Sequence, residues 1–312
     1  MPDSELSGIL VMDKAKGMTS HDVVACLRRI SGQRKVGHAG TLDPTATGVL
    51  LLCLGQATRV AEYLIDHDKT YVASIHLGIS TETYDTEGQI TSQSASDHIT
   101  RAQVEQELGK LVGTIEQVAP MYSAVKHRGQ PLYRLARRGE RVARKSRRVT
   151  IRRLELLEWA SPFVEVEIEC SKGTYVRSLA HDLGQRLGCG AHLAGLVRTA
   201  SGRFHIKQSS TLGQVERAFA QGQGDQLLLP LDAAIDEFPA VIVDPKTEGS
   251  ISFGQRVQLS QNPGSHMCRA YAADGRLVAL LRDRGDGLWQ PHKVFVRPAN
   301  DESHPRSQPG GD

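Results

Sequence analysis

Residues 9–13, Ile-Leu-Val-Met-Asp, form a short apolar run closed by Lys14-Ala15-Lys16-Gly17, which predicts a strand ending in a turn. Ser20-His21-Asp22 supplies capping side chains ahead of Val23, Val24, Leu27 and Ile30, whose spacing predicts a helix with one apolar face. Positions 49–54 are apolar throughout and lie between Gly48 and Gly55; that length and those flanks predict a buried strand. A helix is expected over 57–66. Residues 70–77 alternate as a strand, with Tyr71, Ala73 and Ile75 on one side. Thr100 opens a helix carrying Val104, Leu108 and Leu111, and Pro131 starts a short one that Gly139 stops. The strictest alternation is 164–170, which runs into Ser171-Lys172-Gly173-Thr174. Thr174 is the expected N-cap of a helix over 175–187, with Val176, Leu179, Ala180, Leu183 and Leu187 as its buried stripe. Strands and helices alternate irregularly, with hairpin-like joins, so an α+β core is expected rather than a parallel doubly wound sheet.

Pro230, Pro239 and Pro245 mark a break. Beyond it, short strands are expected at 251–253, 255–259, 267–272, 276–281 and 293–296, a spacing that suggests a small β-barrel. The division is therefore a large domain over 8–238, a small one over 239–298, and a Ser/Pro/Gly/Asp-rich tail over 299–312 that is expected to be disordered.

Composition narrows the class. The 312 residues are 39% hydrophobic and 23% charged, within the range of soluble globular proteins. No apolar run is long enough for a membrane-spanning helix, and the first residues lack a basic-then-apolar leader, so a cytoplasmic protein is expected. Cys26, Cys53, Cys170, Cys189 and Cys268 are scattered without a CxxC pair, which predicts reduced thiols and no metal site. No P-loop or GxGxxG string is present, and no cofactor is expected.

Charge changes the picture more. Net charge is +3, yet residues 126–153 hold twelve Lys and Arg against Glu140 alone, leaving 26 bases and 34 acids elsewhere. A protein that is acidic outside one basic window is laid out to meet a polyanion, through counterion release and long-range steering. The candidate patch is Lys126, Arg128, Arg134, Arg137, Arg138 and Arg141.

The densest cluster of turn formers is Gly37-His38-Ala39-Gly40-Thr41-Leu42-Asp43-Pro44-Thr45-Ala46-Thr47-Gly48. Pro44 keeps Asp43 out of the α region, and the glycines let a ligand or another backbone approach. On local chemistry alone, an Asp-Pro in such a loop reads first as a simple turn.

A longer match alters that reading. The string GHAGTLDPTATGVLLLCLGQATR resembles the segment around the catalytic Asp of the TruB family, bacterial tRNA pseudouridine-55 synthases. Four further segments resemble the family's others in the same order: GILVMDKAKGMTSHDVV, DKTYVASIHLG, APMYSAVKHRGQPLYRLARRG and ECSKGTYVRSLAHDLGQRLGCGAHLAGLVR. They extend from residue 8 to about 198, and the end of the chain looks more loosely like a PUA domain.

The resemblance implies a pseudouridine synthase fold, a mixed and largely antiparallel sheet flanked by helices, with a PUA-like barrel after it. It implies isomerisation of the tRNA T-loop uridine at position 55 in RNA numbering, by an enzyme acting on the T-arm as a monomer without an obligate protein partner. Carried over residue by residue, Asp43 is the essential carboxylate, Tyr71 stacks on the extruded base, and Arg177 pairs with Asp43. Leu196 packs beneath the base, His38 contributes to the rearranged T-loop, and Asp85 is the active-site member of an acidic loop. Tyr175, beside Arg177, joins the substrate-binding set, and residues of about 120–153 look like the family's RNA-gripping insertion. A carboxylate in such a site must be ionised, which burial opposes and an adjacent guanidinium restores.

Two other readings compete. One is an RNA-binding, tRNA-folding chaperone in which catalysis is secondary; the other is a guide-RNA-dependent relative acting with partner proteins. If the basic window grips RNA, neutralising Arg137, Arg138 and Arg141 together should weaken tRNA binding. It should also flatten the dependence of affinity on salt, by roughly 0.7–0.9 in log–log slope for each phosphate no longer neutralised. An unchanged slope in a filter-binding titration would remove this region from the interface.

Overall fold

The computed structural model describes residues 6–123, 125–140 and 142–296; the expectation for the 299–312 tail falls outside them. In chain order the elements are β1 (Gly8–Lys14), α1 (Ser20–Ser31), β2 (Val36–Ala39), β3 (Thr47–Leu54), α2 (Ala61–Asp66), β4 (Lys69–Leu77), β5 (Ile79–Thr81) and β6 (Ile90–Gln93). Next come α3 (Arg101–Gly109), β7 (Gly113–Val118), β8 (Lys126–His127), β9 (Gln130–Pro131), α4 (Leu132–Arg137), β10 (Ser146–Ala160), β11 (Phe163–Cys170) and α5 (Val176–Arg186). The chain continues through β12 (Ala191–Ser201), β13 (Phe204–His205), β14 (Ser210–Thr211), α6 (Leu212–Ala220), β15 (Ala240–Ile242), α7 (Pro245–Ser252), β16 (Met267–Tyr271), β17 (Leu277–Asp283) and β18 (Trp289–Val294).

One ten-stranded sheet organises the molecule, in the order β14-β1-β3-β12-β4-β11-β10-β7, with β2 on β3 and β13 on β12. Only β1–β14 and β3–β12 pair in parallel, so the α+β, largely antiparallel expectation holds. Strand β3 explains its own composition. Leu50, Leu52 and Leu54 point into the core under α1, α5 and α6, while Val49, Leu51 and Cys53 point into a second core on the opposite face. A strand buried on both faces must be apolar at every position, which is why 49–54 shows no alternation. Strand β11 is the converse: Val164, Val166, Ile168 and Cys170 are buried, and Glu165, Glu167 and Glu169 face outward.

Local chemistry sets several boundaries differently from expectation. Thr19, not Ser20, caps α1, through a capping box in which Thr19 and Asp22 satisfy each other's amides. Residues 57–66 divide into a 3₁₀ turn, Gly55–Arg59, and the short helix α2. Thr174 does not cap α5; its hydroxyl donates to the Ser171 carbonyl at 2.9 Å, and Tyr175 takes the cap position. Residues 251–253 close a helix and do not form a strand, because Asp244 accepts from the Thr247 amide and Pro245 starts α7.

The basic window is divided between a separate stretch and the main sheet. Residues 146–153 belong to β10, which pairs with β11 and the edge strand β7 in the main sheet, so the stretch to about 145 stands apart from it. Arg148, Arg152 and Arg153 on that strand meet Glu116, Asp68 and the Glu155/Glu167/Glu169 row respectively.

After the proline break, β15–β18 make a separate four-stranded sheet over a small core of Val243, Ile251, Cys268, Val278 and Leu281. It is open, with β15 and β18 at its edges and Val257 bridged to Trp289; closure into a barrel is not seen among the described strands. Met267 and Leu280 of this sheet pack into the second core beneath β3, and Lys293 pairs with Glu62 at 2.7 Å. Among the described residues no helix is long and apolar enough to cross a membrane.

The parallel contact between β3 and β12 brings Gly48 against Arg198. Gly48 has φ of +96°, and a Cβ there would stand 2.3 Å from the Arg198 carbonyl oxygen. Gly48→Ala should therefore add backbone strain and overpacking together, lowering stability by about 2–4 kcal/mol in urea unfolding. A loss well under 1 kcal/mol would mean that β3 and β12 separate easily.

Candidate active site

Asp43 sits on the loop between β2 and β3, and the loop is held from both ends. Ser20 of α1 exchanges hydrogen bonds with Leu42, accepting from its amide at 2.9 Å and donating to its carbonyl at 3.3 Å. The Ala46 amide donates to the Asp43 carbonyl at 3.1 Å, and the Gly17 amide donates to Pro44 at 2.8 Å. Two cations, each only 1% exposed, complete the support. Lys14 Nζ donates to the carbonyls of Ala15 and Met18, and more distantly to Pro44 at 3.4 Å. Arg198 donates to Val49 at 2.6 Å, Gly40 at 3.0 Å and Thr41 at 3.5 Å. Carbonyl dipoles thus replace the water these charges lost, which is what makes their burial tolerable.

Arg177, in the first turn of α5 and 7% exposed, links two carboxylates. Its Nη1 lies 3.1 Å from Asp85 and its Nη2 donates to the Tyr122 carbonyl at 2.9 Å, so the guanidinium has a firm seat. Asp85 is itself fixed by the Thr83 hydroxyl and by the Glu87 amide at 3.0 Å. Arg177 Nε lies 3.0 Å from Asp43 Oδ2, but its N–H is not aligned on that oxygen. Asp43 therefore receives the positive field without its lone pairs being tied up by Arg177.

The side chain of Asp43 keeps 40% of its surface and lines a cavity of about 280 Å³. Burial of the carboxylate among protein atoms pushes its pKa up, and Asp85 adds to that; Arg177 and Lys14 pull it back without cancelling the rise. Tyr71, Leu196, Tyr175 and Arg177 line the same cavity, as do Lys69, Ser123, Arg147 and Arg198. Tyr71 is buried on β4, within hydrogen-bonding reach of Arg198, and burial raises its phenol pKa. Lys69 donates to the carbonyls of Ile65 and His67, and burial together with Arg198 lowers its pKa to about 8.

Of the expected residues, Asp43, Tyr71, Tyr175, Arg177 and Leu196 meet around one cavity, and Asp85 joins them through Arg177. His38 does not line it. It lies on β2 beside His21, with ring centres 5.4 Å apart, and burial lowers its pKa. In the expected RNA patch, Arg128, Arg134 and Arg138 are exposed; Arg141 and the side chains of Lys126 and Arg137 fall outside the described residues. Arg138 pairs with Glu140 at 2.9 Å. Sequence reasoning missed Lys14, Lys69, Arg147 and Arg198. The one signal for Lys14 and Arg198 was a lone cation at the end of, or inside, an otherwise apolar segment.

The main sheet, with its carboxylate offered from the β2–β3 loop, is the fold of the pseudouridine synthases. A solved H/ACA RNP bound to a substrate RNA containing 2'-deoxyuridine superposes with a TM-score of 0.70 at 25% identity, covering 94% of this chain and 86% of that one. A Cbf5-Nop10-Gar1 complex gives 0.70 at 26% identity, covering 93% and 85%. Residues 28–176 match the TruB family pseudouridylate synthase N-terminal domain. Residues 177–236 match the tRNA pseudouridylate synthase B C-terminal domain, and 238–296 the tRNA pseudouridine synthase II C-terminal region. The chain belongs to the TruB family of pseudouridylate synthases. Among its relatives, the tRNA pseudouridine synthase B of Dehalococcoides mccartyi (strain CBDB1) is 46% identical over 292 residues, spanning 94% of this chain and 97% of the relative. That of Pseudomonas aeruginosa (strain UCBPP-PA14) is 43% identical over 293 residues, spanning 93% and 96%.

A carboxyl with a raised folded pKa opposes folding once it ionises, so its cost is absent at low pH and present above the folded pKa. Asp43→Asn should therefore melt no lower than the parent at neutral pH, with the advantage vanishing as pH falls below the ordinary carboxylate range. If Asp43 is the reacting group, activity has the opposite sign, because the reaction needs the ionised form. The acid limb of kcat/KM should lie above the ordinary aspartate value, and a limb at or below it would contradict the geometry. Paired melting curves and pH–rate profiles test both.

Proposed function

We propose that this chain is a stand-alone tRNA pseudouridine synthase of the cytoplasm that isomerises the T-loop uridine at position 55 in tRNA numbering. The observation that carries the reading is Asp43: an ion-paired carboxylate, free of any aligned hydrogen bond from Arg177, at the wall of a cavity fit for one nucleotide. The relatives it matches along nearly their whole length are named for that activity on tRNA.

The reaction breaks N1–C1′ of uridine, turns the uracil over and joins C5 to C1′. No atom or electron is gained or lost. A base in a folded loop must first leave its stack, at a cost of a few kcal/mol that aromatic stacking and phosphate contacts recover. Tyr71 and Leu196 offer the surfaces for the base, and Asp43 faces the ribose. Attack at C1′, attack at C6 and proton removal at C2′ all start from the ionised carboxylate. Arg177 and Lys14 favour that form, and Asp85 keeps Arg177 in place.

The exposed arginines around α4 serve as the RNA grip, and 239–298 acts as a small PUA-like RNA-binding domain beside the catalytic domain of 8–238. Recognition in one chain agrees with an arm that the protein carries itself, so no protein partner is required and a monomer suffices.

Purified protein should convert a bare T-arm hairpin, and Asp43→Asn should lower turnover by on the order of a thousand-fold or more while tRNA binding changes little. Chemical labelling of pseudouridine and a binding titration read the two separately. Turnover surviving in Asp43→Asn would overturn the chemistry; no product from the hairpin without added proteins would overturn self-sufficiency. If tRNA folding is the main service, Asp43→Asn would retain it in a refolding assay.

A further inference from the structure

We infer that Arg147 grips a phosphodiester next to the extruded uridine, an inference resting on the reading of the substrate as a uridine in RNA. Strand β10 carries Arg147, Arg148, Arg152 and Arg153, and the last three each face a carboxylate on the outer surface. Arg147 faces the cavity of Asp43 instead. Its Nε and Nη2 are buried and have no hydrogen-bond acceptor among the described residues.

Its position is built. Gln117 lies opposite it on β7 and is 1% exposed. The Gln117 amide group clasps the backbone of Tyr175, donating to its carbonyl at 3.0 Å and accepting from its amide at 2.7 Å. The guanidinium of Arg147 then lies over the Tyr175 ring, 4.3 Å from its centre. One cross-strand pair thus fixes Tyr175 by both backbone and ring, and leaves two buried guanidinium nitrogens, Nε and Nη2, without an acceptor among the described residues.

A buried guanidinium with two idle N–H groups pays for desolvation and calls for an anionic oxygen pair. The uridine brings that chemistry in its flanking phosphates. Position favours a phosphate over the uracil carbonyls. Arg147 Nη1 lies against the turn Ser171–Thr174, where Lys172 and Gly173 are exposed, so it belongs to the rim of the cavity. Tyr71 is buried, and the base belongs with it. A backbone phosphate crossing the rim as the base descends would approach the guanidinium from its Nη1 side, beside the turn 171–174.

The test uses T-arm hairpins in which the phosphate on the 5′ or the 3′ side of the target uridine is replaced by an uncharged methylphosphonate. In the parent enzyme one of the two replacements should lower kcat/KM about ten-fold or more. Arg147→Gln should lose a similar factor on the all-phosphate hairpin, lose little more on the neutralised one, and show a salt slope smaller by roughly 0.7–0.9. Arg147→Lys, which keeps the charge without the fork, should recover part of the loss. It also serves for the cycle if Arg147→Gln melts early. Additive losses, or a parent indifferent to both replacements, would overturn the inference. A parent inactive on the all-phosphate hairpin would instead sink the substrate reading on which it rests.

Discussion

In the proposed reaction Asp43 has to stay ionised while half-buried, and much of the surrounding architecture answers to that demand. Burial pushes the Asp43 pKa up, and an isolated buried charge would simply take a proton. Arg177 supplies the opposing charge, but a tight bidentate pair would occupy the oxygens that the proposed reaction needs. The protein separates the two requirements. Asp85 and two backbone carbonyls seat the guanidinium, and Asp43 receives its field at 3.0 Å without an aligned hydrogen bond. Asp85 thus raises the Asp43 pKa through charge while making possible the larger favourable effect of Arg177. Asp85 and Arg177 are the buried pair, and removing either leaves an uncompensated buried charge at a cost of about 3–5 kcal/mol, far more than a surface ion pair contributes.

The sheet exists, from the site's point of view, to bring distant segments to this point. Strands β3 and β12 are far apart in sequence and touch in parallel at only two positions, Val197–Thr47 and Arg198–Gly48. That contact puts Arg198 under the Asp43 loop, where its guanidinium binds carbonyls of Gly40, Thr41 and Val49. Lys14, at the end of β1, binds carbonyls of its own turn, Ala15 and Met18, and reaches Pro44 of the loop at 3.4 Å. Both side chains are cations in a region whose periodicity is wholly apolar. They rigidify the loop through its backbone, and Lys14 also contributes positive potential at the carboxylate.

What the sequence could reveal follows from this. Strands β1, β3, β4 and β11 and helices α1, α3 and α5 declare themselves through runs and periods, because their burial is regular. The Asp43 loop shows only turn chemistry, and it became an active site through a long resemblance to the TruB family. Lys14 and Arg198 remained invisible because their partners are carbonyls, which no side-chain pattern encodes. Residues 251–253 were misjudged because a single capping event, Asp244 with Pro245, outweighed a short apolar run. His38 belongs to the matched string but lies beside His21, away from the cavity lining.

The basic window makes the same point about charge. Twelve cations in a row of 28 residues look like one feature in sequence, and a polyanion is a sound inference from them. In three dimensions they divide. Arg148, Arg152 and Arg153 neutralise acids beside the sheet, Arg128, Arg134 and Arg138 remain exposed around α4, and Arg147 turns inward. The alternation of a strand decides this: Arg147 and Arg148 are adjacent, yet a period of two sends them to opposite faces. One face meets the outer carboxylates and the other meets the cavity of Asp43. On the reading proposed for Arg147, the step from general attraction of RNA to the placing of one nucleotide is made within a single strand, between neighbouring arginines.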